Sequence, residues 1–163
     1  MTGLVVRAAR EGDAQAMADI LNPLIEEGTS TAMVGVQTAA DWRALAAGEI
    51  ARSACFVAEV DGAVVGFQYI EPSELAPDTD CGIASFARIG GGRRGVGRAL
   101  FAKTVEAARA LGFARIGATI RADNVSGLAF YSKVGFRDER VFPAEPLADG
   151  RPVDRIRKVF DLS

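Results

Sequence analysis

Gly90-Gly91-Gly92-Arg93-Arg94-Gly95-Val96-Gly97-Arg98 separates an apolar, strand-like run at 81–87 from a segment with helical periodicity. Glycines at such a junction let the chain turn tightly and bring successive N–H groups against a ligand. The first turn of the following helix leaves its own N–H groups unpaired at the positive end of the helix dipole. Arg93, Arg94 and Arg98 add planar cationic donors. The stretch reads as an anion site suited to a pyrophosphate; a basic surface turn is the plainer alternative. Two other phosphate loops do not fit. A Walker loop needs a Lys and a hydroxyl after its last glycine, and Arg98 and Ala99 stand there. A dinucleotide loop starting at Gly95 needs a glycine at position 100, which is Leu100.

Working outward, residues 4–8 read as a strand. Asp13 is a plausible N-cap for a helix carrying Met17, Ile20, Leu21, Leu24 and Ile25 on one stripe and ending at Gly28. Thr38 and Asp41 have capping-box spacing and open a second helix through Trp42, Leu45 and Ile50. The runs 55–60 and 63–70 flank Asp61-Gly62, a pair that accepts positive φ at both positions and so predicts a tight hairpin. After the glycine-rich stretch, Val96, Leu100, Thr104, Ala107 and Leu111 share a helical face that Gly112 closes. A strand follows at 114–121, with Ile116, Ala118 and Ile120 on one face and Arg115, Gly117, Thr119 and Arg121 on the other. Then come a short helix at 124–134, closed by Gly135, and two strands at 136–142 and 156–162 around a loop at 143–154 rich in Pro, Asp and Gly. The expectation is one α+β domain over 1–163, a mixed and mostly antiparallel sheet flanked by helices.

Composition narrows the chemistry. A chain of 163 residues, 49% apolar and 25% charged, suits one soluble globular domain. Its net charge of −2 is too balanced for bulk nucleic-acid binding, and no apolar run reaches the roughly 20 residues of a membrane helix. The first residues lack the features of a secretory signal, so a cytoplasmic location is expected, with neither nucleic acid nor membrane as partner. The sequence has no histidine, which removes His-assisted nucleophiles and His-ligated metals. Cys55 and Cys81, far apart, read as small core residues, and no metal is expected.

The segment Arg93-Arg94-Gly95-Val96-Gly97-Arg98-Ala99-Leu100 resembles the coenzyme A pyrophosphate loop of the GNAT superfamily of acetyltransferases, [Q/R]-x-x-G-x-[G/A]. Asn124-Val125-Ser126-Gly127-Leu128-Ala129-Phe130-Tyr131-Ser132-Lys133-Val134-Gly135-Phe136 resembles the same family's N-x-x-[A/S]-x-x-[F/L]-Y-x-x-x-G-F pattern. The two motifs occur in family order, one helix and one strand apart, and the strand order of nearly the whole chain agrees. Gly92 stands where the loop motif has Gln or Arg, so either Arg93 or Arg94 would supply that donor or the loop would rely on backbone amides.

The resemblance implies an acetyl-coenzyme A-dependent N-acetyltransferase with the GNAT fold. Such transfer needs a deprotonated amine, donors placed for the oxyanion, and a proton for the departing thiolate. Phe86, Ala87 and Arg88 would splay from the next strand to hold the pantetheine arm, with the Ala87 amide on the thioester carbonyl; Phe86 is equally readable as core. Arg93, Arg94, Gly95, Val96, Gly97 and Arg98 would take the pyrophosphate, and Asn124 and Ser126 would add contacts. Tyr131, a phenol protonated at neutral pH, would be the general acid. Lys133 reads as solvated. For a base, Glu71 is the candidate, though it reads equally as a solvated strand-end Glu, and Asp80, Ser85 or transfer from an already neutral amine are alternatives. Thr29-Ser30-Thr31-Ala32 resembles the phosphinothricin and amino-acid N-acetyltransferase branch. Glu26, Glu27, Glu71, Glu74, Asp78 and Asp80 would favour a cationic amine if they rim the site; a solvated acidic surface is the plainer alternative. A small amine or amino-acid-like acceptor is the first reading. Alternatives are a protein N-terminus or lysine, or a non-catalytic acyl-coenzyme A-binding module. A homodimer is compatible with the resemblance.

Overall fold

The computed structural model describes residues 3–91 and 95–163. The chain runs through β1 (Leu4–Ala8), a short 3-10 turn (Glu11–Asp13), α1 (Ala14–Glu27), α2 (Ala39–Ala46), β2 (Ala54–Val60), β3 (Ala63–Pro72), β4 (Asp80–Ala87), α3 (Val96–Ala110), β5 (Arg115–Arg121), α4 (Val125–Lys133), β6 (Arg137–Pro146) and β7 (Pro152–Asp161). Asp61 and Gly62 turn β2 into β3 with φ of 52° and 81°, the pair of left-handed residues a tight hairpin needs. Gly28 caps α1 in the left-handed region, its N–H on the Leu24 carbonyl at 3.2 Å. Asp13 departs from the expected role. Its carboxylate does not cap α1; it accepts from the Arg10 N–H at 2.7 Å and from both terminal nitrogens of Arg7 at 2.8 Å. The α2 helix stops at Ala46, short of Ile50, which is exposed.

The seven strands lie in the order β1-β2-β3-β4-β5-β7-β6. Every neighbouring pair is antiparallel except β4 with β5, which are parallel. One face packs on α1 and α2: Met17, Leu21 and Trp42 meet Phe67, Tyr69 and Phe86. The other face packs on α3 and α4, where Ile70 and Ile116 meet Phe101, Tyr131 and Phe136. Each large apolar side chain buried this way contributes about 1.5–3 kcal/mol before chain entropy is counted. Among the described residues no helix is long and apolar enough to cross a membrane.

What positions a site is the single parallel pair. β4 and β5 are in register only at Asp80–Arg115, Cys81–Ile116 and Gly82–Gly117. Beyond Gly82 they separate, although β4 stays paired with β3 as far as Ala87. An ion cluster ties the closed end. The Asp80 carboxylate, 1% exposed, accepts from Arg115 and Arg157 at 3.0 Å each, and Glu139 takes the other side of both arginines.

Candidate functional site: the opening between β4 and β5

A cleft of about 480 Å³ occupies the gap. Its walls include Phe86 and Ala87 of β4, Gly95, Val96 and Gly97 at the start of α3, and Asn124, Ser126 and Tyr131 around α4. Residues 40 apart in sequence thus meet at one opening. Arg88 and Arg98 are exposed and lie outside this wall, while the expected roles of Arg93 and Arg94 fall outside the described residues.

The backbone of β4 supplies donors by parity. β3 and β4 hold one register, and the Arg88 N–H bonds the Val65 carbonyl at 2.8 Å. Alternate residues of an antiparallel strand direct their amides to opposite edges. Phe86 and Ala84 therefore bond β3, while Ser85 and Ala87 turn theirs toward the side that β5 has left. At the start of α3 the first return bond runs from the Ala99 N–H to the Gly95 carbonyl at 2.9 Å. The amides of Val96, Gly97 and Arg98 consequently have no acceptor within the helix, and the helix dipole places positive potential there. Gly95 has φ 88°, the left-handed turn that feeds the chain into α3. These amides, the glycines and the open β4 edge suit a phosphate-bearing, extended ligand such as acetyl-coenzyme A.

Tyr131 is 6% exposed and comes from the α4 side. Its hydroxyl lies 2.8 Å from Ser85 Oγ, bridging the gap to β4. Ser85 Oγ accepts from Gln68 Nε2 at 2.8 Å, and Gln68 Oε1 accepts from the Thr104 hydroxyl. Gln68 and Thr104 are both fully buried. Burial pushes the Tyr131 phenol up to about 12, and the Ser85 hydrogen bond acts in the opposite direction. The phenol is protonated throughout the neutral range, and Ser85 is placed to donate to its oxygen should the proton leave. Burial likewise pushes both Cys55 and Cys81 up to about 12, which keeps them thiols rather than nucleophiles at neutral pH.

Asn124 begins α4, its Oδ1 accepting from the Gly127 N–H at 3.0 Å and from Ser126 Oγ at 3.2 Å. Its Nδ2 donates to the Ser30 carbonyl at 3.4 Å. Arg121 reaches the same loop, donating to the Thr31 carbonyl at 2.9 Å while its other nitrogens hold Asp123. Arg121 keeps the Asp123 carboxyl below the ordinary range. The Thr29-Ser30-Thr31-Ala32 stretch is therefore fixed against β5 and α4, and Ser30, Thr31, Ala32 and Met33 form one end of the cleft.

The expected base is not in this wall. Glu71 is exposed at the far end of β3, opposite Gly82, where β4 and β5 are still paired. Asp80 is locked between two arginines. The acidic rim also fails to form: no Asp or Glu lines the cleft among the described residues, and its charged lining is Arg121 and Arg155. Glu27, one of the expected acids, is occupied by the hydroxyls of Thr29 and Ser30. Gln68 and Arg155 were not singled out from the sequence, and Thr104 was read only as part of the buried face of a helix. Gln68 had a readable signal, as the one polar residue in the apolar run Val64-Val65-Gly66-Phe67-Gln68-Tyr69-Ile70. Arg155 sat between the expected loop and strand and gave none.

The acetyltransferase (GNAT) family model matches residues 15–136. No curated protein matches the chain in sequence. Among solved structures, yncA from Salmonella typhimurium, with its cofactor acetyl-CoA, superposes with a TM-score of 0.88 at 19% identity, over 98% of this chain and 94% of that one. A phosphinothricin acetyltransferase from Sinorhizobium meliloti, in complex with acetyl-CoA, gives 0.86 at 23% identity, over 98% and 89%. A structure assigned as a phosphinothricin N-acetyltransferase gives 0.84 at 25% identity, over 99% of both chains.

Proposed function

The chain belongs to the GNAT family of acetyltransferases, and from that premise we propose that it acetylates the primary amine of a small, amino-acid-like molecule, with Tyr131 as general acid. The observation that carries this reading is the Tyr131 hydroxyl standing at the β4–β5 opening, 2.8 Å from Ser85 and close to the outward-turned amides of Ser85 and Ala87. Acetyl-coenzyme A would supply the acetyl group as a thioester. The amides of Val96 and Gly97 at the start of α3 would take its pyrophosphate. The Ala87 amide, with that of Ser85 beside it, would stabilise the charge that develops on the carbonyl oxygen. Tyr131 would give its proton to the sulfur as the C–S bond breaks. The new C–N bond forms as the amine nitrogen loses a proton to solvent, so the products are the N-acetyl amine and a free thiol. Ser85, itself receiving a hydrogen bond from Gln68, is placed to stabilise the phenolate until it is reprotonated.

The cleft wall presents no carboxylate among the described residues, which supports an amine that arrives neutral rather than one deprotonated by Glu71. The loop at 30–33, held down by Arg121 and Asn124, narrows the acceptor end and supports a small molecule over a polypeptide. The relatives named for phosphinothricin acetyl transfer support the same class. The test is thiol release from acetyl-coenzyme A across amines, amino acids and short peptides. Release with small amino-acid-like amines is expected. Release with peptides alone would move the reading to a protein acceptor. Coenzyme binding without release by any amine would make the chain a non-catalytic module.

A further inference from the structure

Four arginines share the α1-side face of the sheet at β5 and β7: Arg115, Arg121, Arg155 and Arg157, with Arg121 directly opposite Arg155 in the register. Three have carboxylate partners. Arg115 and Arg157 divide Asp80 and Glu139 between them, and Arg121 holds Asp123. Arg155 has none: its side chain makes no hydrogen bond or ion pair among the described residues. Its Nε is fully buried and without a partner. The other such atom, Arg7 Nε, belongs to a guanidinium whose terminal nitrogens already hold Asp13 and Glu59. Arg155 instead faces the cleft, beside the end closed by Thr31.

A buried guanidinium N–H without an acceptor is costly, and like charges opposite one another in a sheet add to that cost. An oxyanion in the cleft would give the Arg155 guanidinium the counter-charge it lacks, because a guanidinium binds carboxylate-like groups through its N–H donors. The position fits an acceptor rather than the coenzyme. The free amides of α3 and the Tyr131 phenol lie on the α3 and α4 side of the sheet, while Arg155 lies on the α1 side, across the β4–β5 opening. Resting on the acetyl-transfer reading above, we propose that Arg155 binds an anionic group of the acceptor, so that the substrate carries a carboxylate, phosphinate or similar oxyanion beside its amine.

The probes are α-amino acids and their carboxamides, compared in thiol release with wild type, Arg155→Met and Arg155→Lys. The amine of the amide is the less basic of each pair and is more often neutral at pH 7, so kcat/KM is compared per neutral amine. Wild type is expected to favour the acids in kcat/KM by about 10- to 100-fold, the range of a charge-assisted hydrogen bond. The acid-to-amide ratio should fall to near one in Arg155→Met, mainly through KM, and be partly restored in Arg155→Lys. Equal use of acids and amides by wild type would overturn the proposal while leaving acetyl transfer intact. A preference that survives in Arg155→Met would also overturn it. If wild type acetylates neither class, the transfer reading fails, and calorimetry of N-acetyl amino acids against their amides on the coenzyme A-loaded protein decides the anion site. Equal affinities there would refute it.

Discussion

Gly97 is restricted by two neighbours of different kinds. Its amide has no acceptor within α3, and a Cβ on it would stand 2.6 Å from Cε1 of Phe130. Phe130 in turn packs edge-on to Tyr131, with ring centroids 5.0 Å apart. The loop motif accounts for the first restriction; the second joins α3 to α4 and has no local sequence signal. Gly97→Ala is expected to destabilise by about 1–3 kcal/mol through overpacking, and to weaken acetyl-coenzyme A by about tenfold. The stability cost should shrink in a Phe130→Leu background, where the ring edge is gone. Denaturant unfolding of the four proteins in that cycle measures the coupling; an equal cost in both backgrounds would show that Phe130 is not the obstacle. Gly117 is restricted by packing in the same way, since its Cβ would collide with the buried guanidinium of Arg157. Tyr131, Asn124 and the glycines of the loop were legible because residue type and spacing define them. The Thr104–Gln68–Ser85 chain was not, because it joins a helix to two strands through tertiary packing alone.

The opening depends on where β4 and β5 stop pairing, after Gly82, and the ion cluster at Asp80 ties the paired end that precedes it. Arg157→Met would leave the buried Asp80 with Arg115 as its one remaining cationic partner among the described residues and Glu139 without its main partner. Arg157 is the chief cause holding the Glu139 carboxyl below the ordinary range, so that carboxyl should move back toward it. Removing one partner of a buried pair costs about 3–5 kcal/mol, and amide exchange should quicken first at the paired base of β4 and β5. Urea unfolding with hydrogen exchange checks both; a loss under about 1 kcal/mol, the scale of an exposed pair, would show that the cluster does not tie the strands. The other elements were readable from periodicity, except the late hairpin. Pro143, Pro146 and Pro152 suggested a loop at 143–154, yet β6 and β7 run through to Pro146 and from Pro152. The reason is position: β6 is an edge strand, where a missing N–H breaks no ladder, and Pro152 is the first residue of its strand. Ala144, at φ 51°, lies where the register shifts between Phe142 and Glu145.

At the scale of the molecule, net charge proved a poor guide to the site. The chain carries −2 overall, and its acids suggested a rim attractive to cations. Folding pairs or exposes those acids and leaves the described cleft wall with arginines alone, because local potential depends on which charges are neutralised rather than on their sum. What the fold does globally is bring Gly95 and the first turn of α3, the open edge of β4 and the phenol of α4 to one opening. The central claim is that Tyr131 acts there on the departing sulfur. Tyr131→Phe keeps the ring against Phe130 and Phe136 and removes only the hydroxyl. The decisive measurement is the single-turnover rate of acetyl transfer at saturating acetyl-coenzyme A, taken beside calorimetric coenzyme affinity for both proteins. The account predicts a rate lower by about 10²–10⁴-fold with affinity changed by no more than about twofold, the signature of an interaction made in the transition state. An unchanged rate at saturation would contradict it.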